Sequence, residues 1–228
     1  QKLNVSCMLG HSLGEYTALT AAGILSIEDC SLLLKTRGEL MQNAYEPNQS
    51  GMAAIIGMNC ENVEKLINNN NLKVEIANDN SPLQVVISGV KNALLDSKKF
   101  FINEGAKKYV LLNVSAAFHS HLMNEAQNKM KNLIINTNFK NSLISIISNY
   151  SAEISNNNET IIASLSKQMS NRVRWVESIK ALDHIKEKKI IEIGPGKVLT
   201  GLIKRISNNF DIINIENISN IEKIKYEF

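Results

Sequence analysis

Two hydrophobic rhythms alternate along the chain. The segment KLNVSCML (2–9) is mostly apolar and predicts a buried strand. A turn at 10–14 follows, and TALTAAGIL then predicts a helix over 13–23 that Gly23 closes. Ser26 and Asp29 form an S-x-x-D cap, after which SIEDCSLLLKTRGELMQNA carries apolar residues three and four apart, as one helix should.

The rhythm changes over 48–114. GMAAIIGM (51–58) predicts a strand, ENVEKLINN (61–69) a helix, and LKVEIAND (72–79) and LQVVISG (83–89) two strands around a turn at Asn80, Ser81 and Pro82. A helix over 90–105, closed by Gly105, and a strand over 106–115 complete a β-α-β-β-α-β order. That is the split pattern of a ferredoxin-like unit, expected here as an inserted subdomain at 48–114. Beyond it come a loop and helix (AAFHSHLMNEAQNKMKNLI), a strand (SLISIISN), helices in at least two pieces across 160–182, a strand over 188–196 and a helix from KVLTGLIKRI. Strands alternating with helices predict a parallel sheet. The expected fold is therefore α/β, a hydrolase-like core built from 1–47 and 115–228 with the ferredoxin-like unit between its halves.

Composition narrows function mainly by exclusion. Of 228 residues, 44% are apolar and 21% charged, ordinary for a globular protein, and a net charge of +3 is too small to imply nucleic acid. Cys7, Cys30 and Cys60 are odd in number and lack C-x-x-C spacing, so neither a disulfide framework nor a structural zinc site is expected. No apolar run approaches a membrane span, and the N-terminus lacks a signal-peptide layout. Asparagine runs at 68–71 and 156–158 read as swollen surface loops of a biased composition.

The candidate chemistry starts at GHSLGEY (10–16). It reads G-x-S-x-G between a strand and a helix, a turn that needs small neighbours and sets Ser12 at a helix N-terminus, where amides favour developing negative charge. A serine nucleophile needs a base. His184 lies among charges at a helix end, and His11 is adjacent to the serine, where elbow side chains diverge. His119 and His121 share the loop SAAFHSHLM, which can cover the sheet edge where an elbow opens, and spacing does not choose between them. Arg37 shares a helix face with Leu33, Leu34, Leu40 and Met41, so its guanidinium wants a carboxylate, either internal or a substrate's. IEIGPGKVLTG fails the phosphate-loop pattern, with Ile191 in place of the first glycine and Val198 after the lysine, and reads as a tight strand-to-helix turn.

Seven segments in order (GHSLGEY, LLLKTRGELMQ, GMAAII, QVVISG, AAFHSHLM, QMSNRVRW and EIGPGKVLTGL) resemble the malonyl-CoA:acyl carrier protein transacylases of type II fatty acid synthesis, over nearly the whole chain to about residue 206. The resemblance implies Ser12 as nucleophile, His119 as base, Arg37 on the free malonyl carboxylate and the Gln168 backbone carbonyl orienting the histidine. It further implies the Leu13 amide in the oxyanion hole, and His11, Met41 and Phe118 at the substrate. It implies no bound cofactor; the substrates are malonyl-CoA and phosphopantetheinylated acyl carrier protein. It implies no nucleic-acid or membrane partner, a monomer, and a plastid-type (apicoplast-like) or bacterial-type cytoplasmic setting. Two departures stand out. The family's opening strand and G-Q-G loop, source of the second oxyanion amide, have no counterpart before Ser12. Arg172 replaces the usual proline, adding to Arg174, Lys197, Lys204 and Arg205 in a basic set that could face the acidic carrier protein. The alternatives are an acyltransferase domain of a polyketide or multifunctional fatty acid synthase, a serine esterase, and a non-catalytic fragment that only docks the carrier protein. The IKYEF end, with no linker after it, is expected of a stand-alone enzyme.

Overall fold

The structure, a computed structural model, describes residues 4–221. The start of the strand predicted over 2–9 and the IKYEF end lie outside the described residues. Strand β1 (Cys7–Met8) leads to helices α1 (Leu13–Ala21) and α2 (Ile27–Gln42). The predicted cap forms, with Ser26 Oγ accepting from Asp29 N–H at 3.0 Å. Tyr16, Leu19, Leu33 and Met41 of these helices bury against Met130 and Ile134 of a later helix, α5 (Asn124–Asn136), in one core.

Strands β2 (Ser50–Ile56), β3 (Val74–Ser81), β4 (Gln84–Val90) and β5 (Lys108–Leu111) form an antiparallel sheet in the order β3-β4-β2-β5, with α3 (Cys60–Asn69) and α4 (Lys91–Asn103) beside it. The turn between β3 and β4 falls on Pro82 and Leu83, because Asn80 and Ser81 are still buried in the strand. Val85 and Ile87 bury in one core with Leu94 and Phe101, while Val86 faces a second with Met52, Ala54 and Phe118. Both faces of the sheet are covered, which is why Val85, Val86 and Ile87 run as consecutive apolar residues instead of alternating with polar ones.

The remaining strands correct the expectation of one parallel sheet. The first pairs parallel with β6 (Ser145–Ile147), and β6 pairs antiparallel with β7 (Ile154–Ser155), a strand not predicted. Helices α6 (Asn158–Leu165) and α7 (Trp175–His184) follow. A separate parallel pair joins β8 (Lys189–Ile193) to β9 (Asp211–Ile215), also not predicted, around α8 (Val198–Ile206). Of the strands predicted over 2–9 and 106–115, the described residues form strand at Cys7–Met8 and at Lys108–Leu111. The Gly-Pro-Gly turn is not a phosphate loop: the Glu192 carboxylate accepts from Leu199 and Thr200 N–H at 3.0 and 2.9 Å, filling the amide cluster at the start of α8. No described helix is long and apolar enough to cross a membrane.

Backbone pairing ties the four-stranded sheet to the rest. Val173 exchanges hydrogen bonds with β3, donating to Ala77 O at 2.8 Å and accepting from Asp79 N–H at 3.0 Å. Arg172 reaches Glu64 at 3.7 Å and Glu177 at 3.8 Å across the same seam, and Arg174 meets Glu177 at 2.9 Å. Two residues of the basic set are thereby engaged in internal ion pairs.

Candidate active site

Ser12 sits at the start of α1 with φ +54 and ψ −103, a conformation that a non-glycine residue adopts only when its surroundings hold it. They do so from three sides. Its N–H donates to Asn149 Oδ1 at 2.6 Å, and its carbonyl accepts from Gln168 Nε2 at 2.9 Å and from Glu15 N–H at 3.2 Å. A Cβ on Gly10 would stand 2.0 Å from the Gly14 carbonyl carbon and oxygen, so the turn closes only over glycine. Gly14 is different: a Cβ there meets nothing within 4 Å among the described residues, which corrects the expectation that both glycines are sterically required.

Ser12 Oγ lies 2.9 Å from His119 Nε2. The opposite ring nitrogen faces the backbone carbonyls of Gln168 and Asn171 at 2.9 and 3.2 Å. Carbonyls only accept, so Nδ1 carries the hydrogen and Nε2 offers its lone pair to the serine. Burial first, and the Arg37 cation second, push His119 down to about 3, so the ring is neutral at neutral pH. His119 also has positive φ, +58. Its loop is pinned by the four-stranded sheet: Ser88 Oγ donates to Phe118 O at 2.5 Å, and Ala117 N–H to Ser50 Oγ at 3.2 Å. His121, the alternative base, is exposed and bound through its ring and its N–H to Glu75.

Arg37 projects from α2 into the same spot. One terminal nitrogen donates to Ser12 Oγ at 2.8 Å and to Gln168 Oε1 at 3.1 Å, and its guanidinium carbon lies 5.6 Å from the centre of the Tyr16 ring. Neither acceptor is a carboxylate, and Arg37 Nε is buried without a partner among the described residues. Burial lowers the Arg37 pKa, while Tyr16 and Glu15 act in the opposite direction. A buried cation next to a nucleophile, with a donor unspent, is suited to an incoming anion.

The other predicted positions fall around this centre. Leu13 is the first residue of α1, so its N–H has no acceptor within the helix. Met41 is buried one turn beyond Arg37, and Phe118 immediately precedes the histidine. His11 turns aside, with Nε2 2.8 Å from Asn80 Oδ1 and its ring 5.4 Å from that of Trp175. His184 is exposed at the end of α7, and no group of three or more His, Cys, Asp or Glu among the described residues is placed to hold a metal ion. Sequence reasoning passed over Glu15 and Asn149. Glu15 had a signal, a carboxylate inside an otherwise apolar helix; Asn149, at the end of an apolar strand, had none.

The chain matches the model of the acyl transferase domain over residues 4–223. It is 39% identical to the malonyl CoA-acyl carrier protein transacylase of Bacillus subtilis over 217 residues, 93% of this chain and 68% of that protein. Its fold superposes on the acyl-carrier-protein S-malonyltransferase of Bartonella henselae with a TM-score of 0.93 at 39% identity, covering 98% of this chain and 73% of that one. A malonyl-transacylase solved in complex with its type II polyketide acyl carrier protein gives 0.93 at 33% identity, with 99% and 74% covered.

Proposed function

Because the chain belongs to the acyl transferase domain family, we propose a residue-level mechanism for its reaction. That reaction is the transfer of a malonyl group from malonyl-CoA to acyl carrier protein, in fatty acid or polyketide synthesis. Ser12 Oγ attacks the thioester carbonyl while His119 Nε2 takes its proton. The C–S bond breaks, the coenzyme A thiolate recovers that proton from His119, and a malonyl ester remains on Ser12. The phosphopantetheine thiol of the carrier protein then attacks the ester, gives its proton to His119, and Ser12 leaves with it. The Leu13 amide stabilises each tetrahedral oxyanion, and the Gln168 carbonyl holds the imidazole in the tautomer that the step requires. Arg37 holds the malonyl carboxylate, with Met41 and Phe118 along the acyl group and His11 at the rim.

The single observation that carries this reading is the convergence on Ser12 Oγ of His119 Nε2 at 2.9 Å and the Arg37 guanidinium at 2.8 Å. Incubation with malonyl-CoA followed by intact-mass measurement should show a malonyl adduct on the parent chain and none on Ser12→Ala. An adduct that survives the substitution, or none on the parent, refutes the assignment. Loading of fatty acid and polyketide carrier proteins side by side separates the two pathways.

We further read 48–114 as the ferredoxin-like unit and 1–47 with 115–228 as the hydrolase-like core. The strand order β3-β4-β2-β5 supports the first reading. The basic residues left for the carrier protein are Lys197, Lys204 and Arg205 rather than Arg172 and Arg174. The setting stays open between a plastid-type organelle and a bacterial-type cytoplasm, and no cofactor enters the mechanism.

A further inference from the structure

Glu15 is a fully buried carboxylate that no step above uses, and it is hydrogen-bonded to Gln168, the residue that touches the groups that do. Its Oε2 accepts from Gln168 Nε2 at 2.7 Å and from Asn149 N–H at 3.2 Å. Gln168 in turn touches all three reacting groups. Its backbone carbonyl faces His119, its Nε2 donates to Ser12 O, and its Oε1 accepts from Arg37. A carboxamide has one donor end and one accepting end. With Glu15 Oε2 and Ser12 O both acceptors on one side, only the amide nitrogen fits there, so the oxygen must face Arg37. Without Glu15, the amide can turn over and present N–H groups to the guanidinium, which repels it from this position.

We propose that Glu15 is a positioning residue that locks the Gln168 amide and, through it, aims Arg37 for selection of a carboxylated acyl group. The assignment rests on the malonyl-transfer reading above. Asn149 completes the lock from the other side, since its side-chain nitrogen donates to Gly10 O at 2.7 Å while its oxygen holds the Ser12 amide. Burial raises Glu15 to about 7, but the lock needs an acceptor and not a charge, because the Oε2 oxygen accepts in either protonation state.

That distinction sets the test. Glu15→Asp keeps the charge and withdraws the acceptor by one methylene. Glu15→Gln removes the charge and can keep one oxygen accepting both hydrogen bonds. Measured as kcat/KM for malonyl-CoA over acetyl-CoA, Glu15→Asp should lose ~10-fold or more of the preference, mostly through a raised KM for malonyl-CoA, while Glu15→Gln stays within ~3-fold of the parent. Gln168→Met, nearly the same shape without an amide, should show the same loss. Adding Glu15→Asp to Gln168→Met should cost nothing further, since the two act through one contact. The proposal is overturned if Glu15→Gln is as poor as Glu15→Asp, if a folded Glu15→Asp keeps the parent preference, or if the two losses add. A parent chain that takes no malonyl group at all overturns the underlying reading itself, which separates that failure from the others.

Discussion

Replacing His119 by asparagine should change how stability depends on pH, and burial sets the sign. In the unfolded chain the imidazole titrates near 6.5; in the fold, burial and then Arg37 push it down to about 3. Between these values the unfolded chain holds a proton that the folded chain lacks. The contribution is therefore complete above about 6.5 and is lost as pH falls toward 3, at ~1.4 kcal/mol per pH unit. Glu15 runs the other way. Burial lifts it from 4.5 to about 7, so the folded chain binds the extra proton and stability falls as pH rises through that window. From pH 4.5 to 6.5 the two slopes offset one another in the parent chain. His119→Asn removes the rising slope and leaves the falling one. Relative to the parent, the variant should lose about 2 kcal/mol as pH goes from 4.5 to 6.5. Urea unfolding at half-unit pH steps and fixed ionic strength measures this difference directly. Parallel stability curves for the two proteins would mean that His119 keeps an ordinary pKa, and the account of a neutral, desolvated base would be wrong.

The substrate clamp and the elbow give two further expectations. Arg37→Ala removes a buried cation worth about 1.5–3 kcal/mol per charge-assisted hydrogen bond to a carboxylate, so malonyl loading should fall ~100-fold while acetyl loading is spared; competition between malonyl-CoA and acetyl-CoA read by intact mass decides it, and an unchanged ratio refutes the clamp. Gly10→Ala must push a methyl out of the Gly14 carbonyl and should cost about 3 kcal/mol in thermal melts, whereas Gly14→Ala, inside a helix with open space around it, should be neutral or stabilising by up to about 1 kcal/mol.

What the chain reveals on inspection depends on how far apart the deciding contacts lie. The helices around Arg37 and the strands from Ser50 to Leu111 are legible because their periodicity and caps are local, and Ser26 with Asp29 closes in space as it does in sequence. The short strands are not. Ile154–Ser155 pairs with β6 and with no other described strand, and Cys7–Met8 is bounded by the two positions at which it pairs with Ser145 and Ile146, so neither length is written in its own residues. The site divides in the same way. Ser12 is marked by the glycine against which its turn closes, but His119 and His121 are alike in composition and two residues apart. What separates them is a carbonyl at residue 168 for one and the Glu75 carboxylate for the other. Gln168 is the extreme case. Its backbone oxygen, its side-chain oxygen and its side-chain nitrogen each serve a different partner, more than 40 residues away in every case. Nothing in KQMSNRVRW betrays that division of labour, because it is created by what the fold brings to each atom. Glu15 lies between the two cases: a carboxylate in an otherwise apolar helix marks it, but its role is set only by the bonds it accepts from residues 149 and 168.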